Sequence, residues 1–450
     1  MFPACRSSGR RSVGALIVLL LSGLCAAAET PAQASPTPQA SLVTVASFNG
    51  ANGAEPHAGV TFDRQGNLFG TTNNGGPNND GTVFEIANGS TRLITLASFR
   101  DTDGSQPGYG HLTFDSLGDL FGTTESGGMN DAGTVYEIAK GSTHIKTLAS
   151  FNGTIGAEPV VSKTFDSQGN LFATPVKGNT NNNGAFPVDA VTFDRQGNLF
   201  GTTFKRGTND AGTVFEIVKG SKHIKTLATF NYMNGSEPVS SVTFDRSGNL
   251  FGTTGMGGAS NCGTVYEIAK GSTRIRTLVS FNSINGDDPA GAVTFDRSGN
   301  LFGTTAEGGA GILNGHGAVF EIAKGSTRLK TLAAFNGANG DEPDTDVTFD
   351  RQGNLFGTTA KGGAKNLGTV FEIAKGSTRI KTLVSFNGTN GANPSNVTFD
   401  SSGNLFGTTQ SGGAGGRGTV FEIVSVGSHP AAPGSSSAAP KPHRRAVLLR

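Results

Sequence analysis

Short apolar runs separated by Gly-rich and polar segments recur along most of the chain. In the unit that starts at Val293, four runs follow one another: VTFD, NLFGTT, GAVFEIA and LKTLAAF. In the third run, Val319 lies on one face of an extended chain, and Phe320 and Ile322 lie on the other. A strand that is apolar on both faces belongs to a sheet that is covered on each side. The pattern predicts an all-β chain with four strands in each unit.

Two kinds of tight turn join these runs. D-R-S-G-N connects the first pair, and Gly299 within it can adopt the left-handed conformation that a tight hairpin requires. K-G-S-T connects the second pair, and it again offers a Gly for a positive φ. The sequence therefore predicts two hairpins in each unit.

The unit repeats at a nearly constant period. The phrase T-F-D recurs at intervals of 52, 51, 28, 51, 51, 54 and 50 residues. Its aspartates are Asp63, Asp115, Asp166, Asp194, Asp245, Asp296, Asp350 and Asp400. Four-stranded units of ~40–50 residues packed face to face around an axis are typical of β-propellers. A sandwich needs no such period, and a β-helix has a far shorter one.

The two ends of the array complement each other. Residues 42–48 match the fourth strand of a unit, and residues 397–424 hold three strands without a fourth. Joining them completes a blade and closes the ring. The short interval leaves only two strands in the unit at 163–190. We predict a β-propeller of seven full blades and one degenerate, two-stranded blade; the alternative is a hairpin inserted into a seven-bladed ring.

Segments outside the array predict export to the periplasm or the cell exterior. Residues 1–28 have a basic start, a short apolar core and three alanines before the expected cleavage site, as in a secretory signal peptide. The core is about half the ~20 residues that span a bilayer, so no transmembrane segment is expected. Residues 29–41 and the basic tail 427–450 are rich in Pro, Ala and Ser and are expected to be disordered. The array is assigned to residues 42–426.

Composition excludes several classes of function. Of 450 residues, 68 are Gly and 31 are Phe, none is Trp, and only 15% are charged. The formal net charge of +1 becomes −2 when three arginines leave with the signal peptide, so nucleic-acid binding has no electrostatic basis. Only Cys262 then remains, which excludes an intrachain disulfide and a cysteine-based metal site. The lack of Trp argues against aromatic platforms for sugars or bases.

The ordered series of motifs resembles a known family. GNLFGTT, a Gly-Gly pair, GTVFEI, and SFNG with a Pro before the next TFD recur in this order over residues 42–424. In this respect the chain is similar to the GloVer (Gloeo/Verruco) tandem-repeat proteins, an exported "choice-of-anchor" bacterial family. The resemblance implies a surface or secreted propeller-like array. It implies no activity, because the family has no catalytic signature, and the hydrophilic tail differs from an anchoring segment.

The loops divide into a constant and a variable set. In a propeller, the first-to-second and third-to-fourth connections lie on one side, and the other connections lie opposite. The first set is nearly constant, as in DRQGN and AKGSTRIK, whereas the second varies, as in NNGGPNND and GMGGASNC. Variable loops on a rigid scaffold can form a binding surface, so we expect a protein or glycan partner there and a monomeric protein. Drift in unconstrained Gly/Asn loops is the alternative.

A polar arc is expected at the mouth of the central channel, where the residue before V-T-F-D lies in each unit. The candidate ligand-binding residues on this arc are His57, His111, Asp344, Asp346 and Asn396. A His and carboxylates around a concavity can orient a ligand or exchange protons. A solvated rim without any ligand is the alternative.

The remaining polar motifs indicate structural roles or no specific function. Asn/Asp/Gly loops such as 75–80 suggest calcium, but Ca²⁺ needs 6–8 converging oxygens, which no loop supplies alone; no cofactor is predicted. The Asp of T-F-D and the Glu of F-E-I suit turn capping and cross-strand pairing. The sequence has no H-E-x-x-H, G-x-S-x-G or P-loop motif, and no catalytic residue is predicted. We therefore predict an exported, non-catalytic binding or structural module, with a lyase-like or lactonase-like propeller enzyme and a cell-surface adhesin as alternatives.

Overall fold

The structure, a computed structural model, describes most of residues 40–424. The described residues exclude 108–111, 115–116, 125, 129–133, 151–163, 166–170, 173–184, 197, 206–208, 219–224, 239, 310 and 312–314. Every regular element among the described residues is a β-strand, which confirms the all-β prediction. In this part of the chain, no helix is long and apolar enough to cross a membrane.

The strands are short and evenly distributed. In chain order they are β1 (Ser41–Ser47), β2 (Thr61–Phe62), β3 (Leu68–Thr72), β4 (Thr82–Ile86), β5 (Leu93–Ser98), β6 (Thr113–Phe114), β7 (Leu120–Thr124), β8 (Thr134–Ile138), β9 (Lys146–Ser150), β10 (Thr164–Phe165), β11 (Leu171–Phe172), β12 (Ala185–Phe193), β13 (Leu199–Lys205), β14 (Thr213–Ile217), β15 (Lys225–Thr229), β16 (Thr243–Phe244), β17 (Leu250–Thr254), β18 (Thr264–Ile268), β19 (Ile275–Ser280), β20 (Thr294–Phe295), β21 (Leu301–Thr305), β22 (Ala318–Ile322), β23 (Leu329–Ala334), β24 (Thr348–Phe349), β25 (Leu355–Thr359), β26 (Thr369–Ile373), β27 (Ile380–Ser385), β28 (Ala392–Phe399), β29 (Leu405–Ser411) and β30 (Thr419–Val424).

These strands form eight antiparallel sheets, which we number in chain order. Sheet 1 contains β2–β5, sheet 2 β6–β9, sheet 3 β10–β11, sheet 4 β12–β15, sheet 5 β16–β19, sheet 6 β20–β23, sheet 7 β24–β27, and sheet 8 β28–β30 together with β1. Seven sheets have four strands, and sheet 3 has two. Within sheets 1, 2 and 4 to 7, strands that follow one another in the chain are hydrogen-bonded neighbours.

An aspartate cap fixes the first hairpin of most units. In sheet 6, Asp296 Oδ1 accepts hydrogen bonds from the backbone N–H groups of Ser298 and Asn300, at 2.9 and 2.8 Å. Asn300 Nδ2 donates to Asp296 Oδ2 at 3.0 Å, and Gly299 has the predicted positive φ, 86°. The same Asp–Asn contact occurs in sheets 1, 4, 5, 7 and 8. The sequence motif therefore encodes the turn directly.

Aromatic rings fill the space between consecutive sheets. Phe251 of sheet 5 packs edge-to-face on Phe295 of sheet 6, with ring centroids 5.1 Å apart. Phe302 of sheet 6 packs in the same way on Phe349 of sheet 7, at 5.3 Å. Buried clusters drawn from both sheets surround each of these contacts. This packing explains why the strands are apolar on both faces.

Threonine side chains also tie each sheet to the next. Thr253 Oγ1 of sheet 5 donates to the carbonyl oxygen of Gly291, in the linker before sheet 6, at 3.1 Å. Sheets 4, 6 and 7 repeat this contact. Thr408 Oγ1 of sheet 8 donates to Ala58 O, in the linker before sheet 1, at 2.9 Å. In these five sheets, the first threonine of GTT therefore satisfies its buried hydroxyl on the neighbouring unit.

The first and last strands of the array pair with each other. Ser41 lies opposite Val424, and Ser47 lies opposite Thr419, so β1 is the fourth strand of sheet 8. Sheet 3 lies within the unit predicted to be degenerate, and β10 contacts both β6 and β12. Residues 185–190 of that unit belong to the long first strand of sheet 4.

Several segments predicted from the sequence fall outside the described residues. These are the signal peptide 1–28, the linker 29–41 except for its last two residues, and the tail 427–450. Strand β1 begins at Ser41, one residue before the predicted start of the array at 42. The predicted boundary at 426 lies beyond Val424, the last described residue.

Candidate functional site

The connections between strands form two separate groups. Turns between first and second strands contact turns between third and fourth strands, as when Lys270 N donates to Asn249 Oδ1 at 3.0 Å. Connections between second and third strands pair instead with the linkers between sheets, as in the bridge of Ser236 with Met256. We name the first group the constant-loop face and the second group the variable-loop face.

Glutamates on the constant-loop face have cationic partners in five sheets. Glu267 binds Arg276 at 2.9 Å, and Glu321 binds Lys330 at 2.8 Å. The equivalent pairs in sheets 2, 4 and 7 are Glu137–Lys146, Glu216–Lys225 and Glu372–Lys381. Together with the aspartate caps, these pairs confirm the predicted structural roles of the T-F-D and F-E-I acids.

Grooves open between consecutive sheets on this same face. Their volumes are about 570 Å³ between sheets 4 and 5, 350 Å³ between sheets 5 and 6, and 410 Å³ between sheets 6 and 7. Each is lined by hairpin turns of two sheets, one Glu–Lys or Glu–Arg pair and one K-G-S turn. Of the residues predicted for the channel mouth, the four that the structure describes, His57, Asp344, Asp346 and Asn396, do not line these grooves.

The residue before the linker proline has a left-handed backbone in six linkers. These residues are Glu55, Gln106, Glu237, Asp288, Glu342 and Asn393, with φ between 50° and 59°. Residues other than glycine rarely adopt this conformation. Glu237 N donates to Ala211 O in a loop of sheet 4, and Glu237 O accepts from Gly255 N in a loop of sheet 5, at 3.1 and 2.9 Å. Because this residue bridges the loops of two sheets, the strain has a structural cause.

Two of the predicted site residues hold neighbouring linkers together. Asp346 Oδ1 accepts a hydrogen bond from the backbone N–H of Ala292 at 2.7 Å. The backbone N–H of Asp346 donates to Asn396 Oδ1 at 3.2 Å. These contacts connect the linkers before sheets 6 and 7 with β28, the first strand of sheet 8. The structure therefore brings Asp346 and Asn396 together, in an arrangement that stabilises the fold.

One of the two predicted histidines lies among the described residues. His57 is half-buried, and its burial lowers its pKa, while the charge of Glu55 opposes that shift. His111 lies outside the described residues.

An acidic cluster that sequence reasoning missed lies on the variable-loop face of sheets 5 and 6. It consists of Glu237, Asp287, Asp288 and Glu307. The side chain of Asp288 is exposed, yet surrounding protein limits its access to bulk water. This desolvation raises the pKa of Asp288, and the charges of the other three acids raise it further. The sequence signal was an acid before the linker proline, in S-E-P and then D-D-P, which only the fold shows to be adjacent.

Asp344 extends this acidic region toward sheet 7. Its side chain is exposed, yet protein surrounds it on several sides and limits its access to bulk water. This desolvation, with the charges of Glu342 and Asp288, raises the pKa of Asp344 to about 6. Lys361 opposes the shift and binds Glu342 at 2.7 Å. The protonation of Asp344 therefore changes near pH 6.

The described residues contain no group of three His, Cys, Asp or Glu side chains placed to hold a metal ion. His316 Nδ1 lies 2.9 Å from Asp341 Oδ1 and forms a pair with it. Cys262 is a buried free thiol whose Sγ lies 3.1 Å from Ser283 Oγ. Desolvation raises the pKa of Cys262, which disfavours a reactive thiolate.

One family model matches the sequence over nearly the whole series of sheets. It describes the Gloeobacter/Verrucomicrobia repeat and matches residues 33–189, 179–348 and 310–430. The chain belongs to the Gloeobacter/Verrucomicrobia repeat family. The resemblance drawn from GNLFGTT and GTVFEI is thereby confirmed. No curated protein matches the sequence.

Solved structures with a similar fold have little sequence in common with this family member. The extracellular domain of a hybrid two component system from B. thetaiotaomicron is 10% identical, with a TM-score of 0.51, over 85% of this chain and 39% of that chain. The extracellular domain of a one component system from the same organism is 10% identical, with a TM-score of 0.41, over 83% and 51%. A gluconolactonase from Xanthomonas campestris is 13% identical, with a TM-score of 0.39, over 88% and 93%. The chain spans about two fifths of the first structure, whose likeness supports a propeller-like fold alone.

Proposed function

We propose that this Gloeobacter/Verrucomicrobia repeat protein is an exported, non-catalytic β-propeller that acts as a binding module. Its partner, a protein or a glycan, docks on the variable-loop face. The observation that carries the proposal is the contrast between a scaffold that is copied from sheet to sheet and loops that differ. One such difference is Glu307 of the acidic cluster, because Lys361 occupies the equivalent position in sheet 7.

We also propose that the sheets close into a ring of seven full blades and one degenerate blade. The pairing of β1 with β30 supports this, as does the hydrogen bond from Thr408 to the linker before sheet 1. The contacts of β10 with β6 and β12 support a place for sheet 3 between sheets 2 and 4. A closed ring would give the variable loops a rigid platform with protected sheet edges.

Export is supported by the signal-like features of residues 1–28. The first solved structure described above is itself an extracellular domain, although its low identity supports only the fold. Sequencing the N-terminus of protein recovered from the periplasm and the medium tests this part of the proposal. A mature chain that begins near residue 29 is expected.

A glycan array and a displayed peptide library, probed with the full chain, test the binding proposal. Two variants serve as matched probes of the two faces. The first changes the acidic cluster by Asp288→Asn with Glu307→Gln, and the second changes the constant-loop face by Arg246→Gln with Lys270→Gln. We expect bound probes to be lost with the first variant and retained with the second. Probe binding that is unchanged in the first variant, or no binding at all, would contradict the proposal.

Asp344 supports an enzyme at the channel mouth as the second candidate. A carboxyl group with a pKa of about 6 can donate and accept protons near neutral pH. A panel of lactones offered to the full chain tests this alternative. Turnover that disappears in Asp344→Asn, with unchanged thermal stability, would favour the enzyme over the binding module.

A further inference from the structure

Four large apolar side chains are exposed on neighbouring segments of the variable-loop face. Tyr232 is 48% exposed, Met233 76%, Met256 48% and Ile284 49%. Tyr, Met and other large apolar residues are enriched in the cores of protein interfaces. We name these four residues the apolar patch.

One loop holds the backbone of the patch in place. Loop 255–263 of sheet 5 lies between the linker that contains Tyr232 and the linker that contains Ile284. On one side, Gly258 N donates to Tyr232 O at 2.6 Å. On the other side, Cys262 Sγ contacts Ser283 Oγ at 3.1 Å. The patch is therefore presented on connected backbone segments.

The patch departs from the copied pattern. Where Tyr232 and Met233 stand, the linker before sheet 7 has Gly337 and Ala338. Tyr232 has φ of 62°, a conformation that costs an aromatic residue on the order of 1 kcal/mol and that glycine adopts freely. A bulky residue thus replaces glycine at a strained, solvent-exposed position, where packing within the fold does not require it.

The acidic cluster lies beside the patch. Ser236, which bridges Met256, is followed directly by Glu237. Ser283, which precedes Ile284, donates to Asp287 at 2.6 Å. An occupant of this surface must therefore offer cationic groups next to apolar side chains.

The chain itself contains a segment with this chemistry. Residues 441–450 read KPHRRAVLLR, with four basic residues, an apolar run and no acid. Residues 425–440 separate this segment from β30. As the third strand of sheet 8, β30 ends on the constant-loop face, so the segment has to pass around the edge of its sheet to reach the patch. Sixteen extended residues reach on the order of 50 Å, which is the length available for this path.

We infer that residues 441–450 dock on the apolar patch, with their basic side chains on the acidic cluster. This inference rests on the proposed function because it takes the variable-loop face as the binding surface. Val447 and Leu448 would cover the exposed apolar side chains, while Arg444 and Arg445 would face carboxylates. The contact weakens at high salt because much of it is electrostatic.

Zero-length carbodiimide cross-linking of the full chain tests the inference directly. The reagent joins an amine to a carboxylate only where the two are in contact. We expect mass spectrometry to find Lys441 joined to Asp287, Asp288 or Glu307, with a severalfold lower yield at high salt. Cross-links from Lys441 only to other acids, or none, would overturn the inference.

A patch variant provides the matched control. Tyr232→Gly with Met233→Ala installs the residues found at 337 and 338, and it should fold because glycine accepts the positive φ. We expect this variant to keep its melting temperature and to lose the Lys441 cross-links severalfold. Unchanged cross-links would show that the patch takes no part. The cross-link forms within one chain and needs no external partner. Its failure is therefore distinguishable from a failure of the glycan and peptide experiment.

Discussion

The two faces of this repeat protein use the same kinds of residue for different ends. On the constant-loop face, Asp296 caps its own hairpin and Glu321 binds Lys330. On the variable-loop face, Asp288 lies among other acids that raise its pKa. The difference teaches that the role of an acid depends on whether a cation or a backbone donor is copied with it in the same unit. Around Asp288, the charged neighbours are instead further acids.

Removing a repeated acid tests most directly whether the acids of the constant-loop face stabilise the fold. Asp296→Ala deletes three hydrogen bonds to Ser298 and Asn300. We expect a loss of about 2 kcal/mol in the free energy of unfolding, because charged acceptors of backbone N–H groups are lost. Urea titration measures it, and Asp296→Asn, which keeps one acceptor, should lose less. A change near zero would mean that the turn forms without its cap.

The pH dependence of stability tests the acids of the variable-loop face, and Asp344 in particular. The pKa of Asp344 is raised to about 6 in the folded protein, above its ordinary value of 3.8. The folded state therefore binds this proton more tightly, and the resulting stability is complete below about pH 4. It is lost as the pH rises through 6, so Asp344→Asn should flatten this part of the melting-temperature profile. A variant with the same profile as the parent would place Asp344 in ordinary solvent.

Removing an acid of the acidic cluster should change the free energy of unfolding least, and in the opposite direction to the deletion of the cap. Asp288→Asn relieves repulsion from Asp287, Glu307 and Glu237. Because the side chain is exposed and water screens these charges, we expect a gain of about a few tenths of a kcal/mol at neutral pH. Differential scanning calorimetry at low and high salt measures it, and the gain should shrink with salt. A clear loss of stability would reveal a structural partner for this carboxylate.

The sequence predicted most of the local structure because the repeat encodes it within short stretches. T-F-D with a following G-N specified the hairpin and the cap at Asp296, and the alternating apolar pattern specified strands buried on both faces. The complementary first and last segments predicted the pairing of β1 with β30. The hairpin and its cap depend on residues a few positions apart, and the pairing was predictable because the repeat shows which strand is missing at each end.

The candidate site was harder to predict because it forms between units. Asp346 and Asn396 were chosen as ligand-binding residues, but their side chains accept hydrogen bonds from neighbouring linkers. The left-handed backbone at Glu237 depends on loops of two sheets, which no single motif records. The apolar patch became visible only when exposure was known for Tyr232 and Met233.

The pairing of β1 with β30 also has a consequence for the order in which the protein is built. Sheets 1, 2 and 4 to 7 each come from one continuous stretch, so each can form soon after its fourth strand is synthesised. Sheet 8 must wait, because its outer strand is made first and its remaining strands are made last. During synthesis, β1 therefore remains without its partner until β30 has been made. Formation of sheet 8 is in this way coupled to synthesis of the last strand of the array.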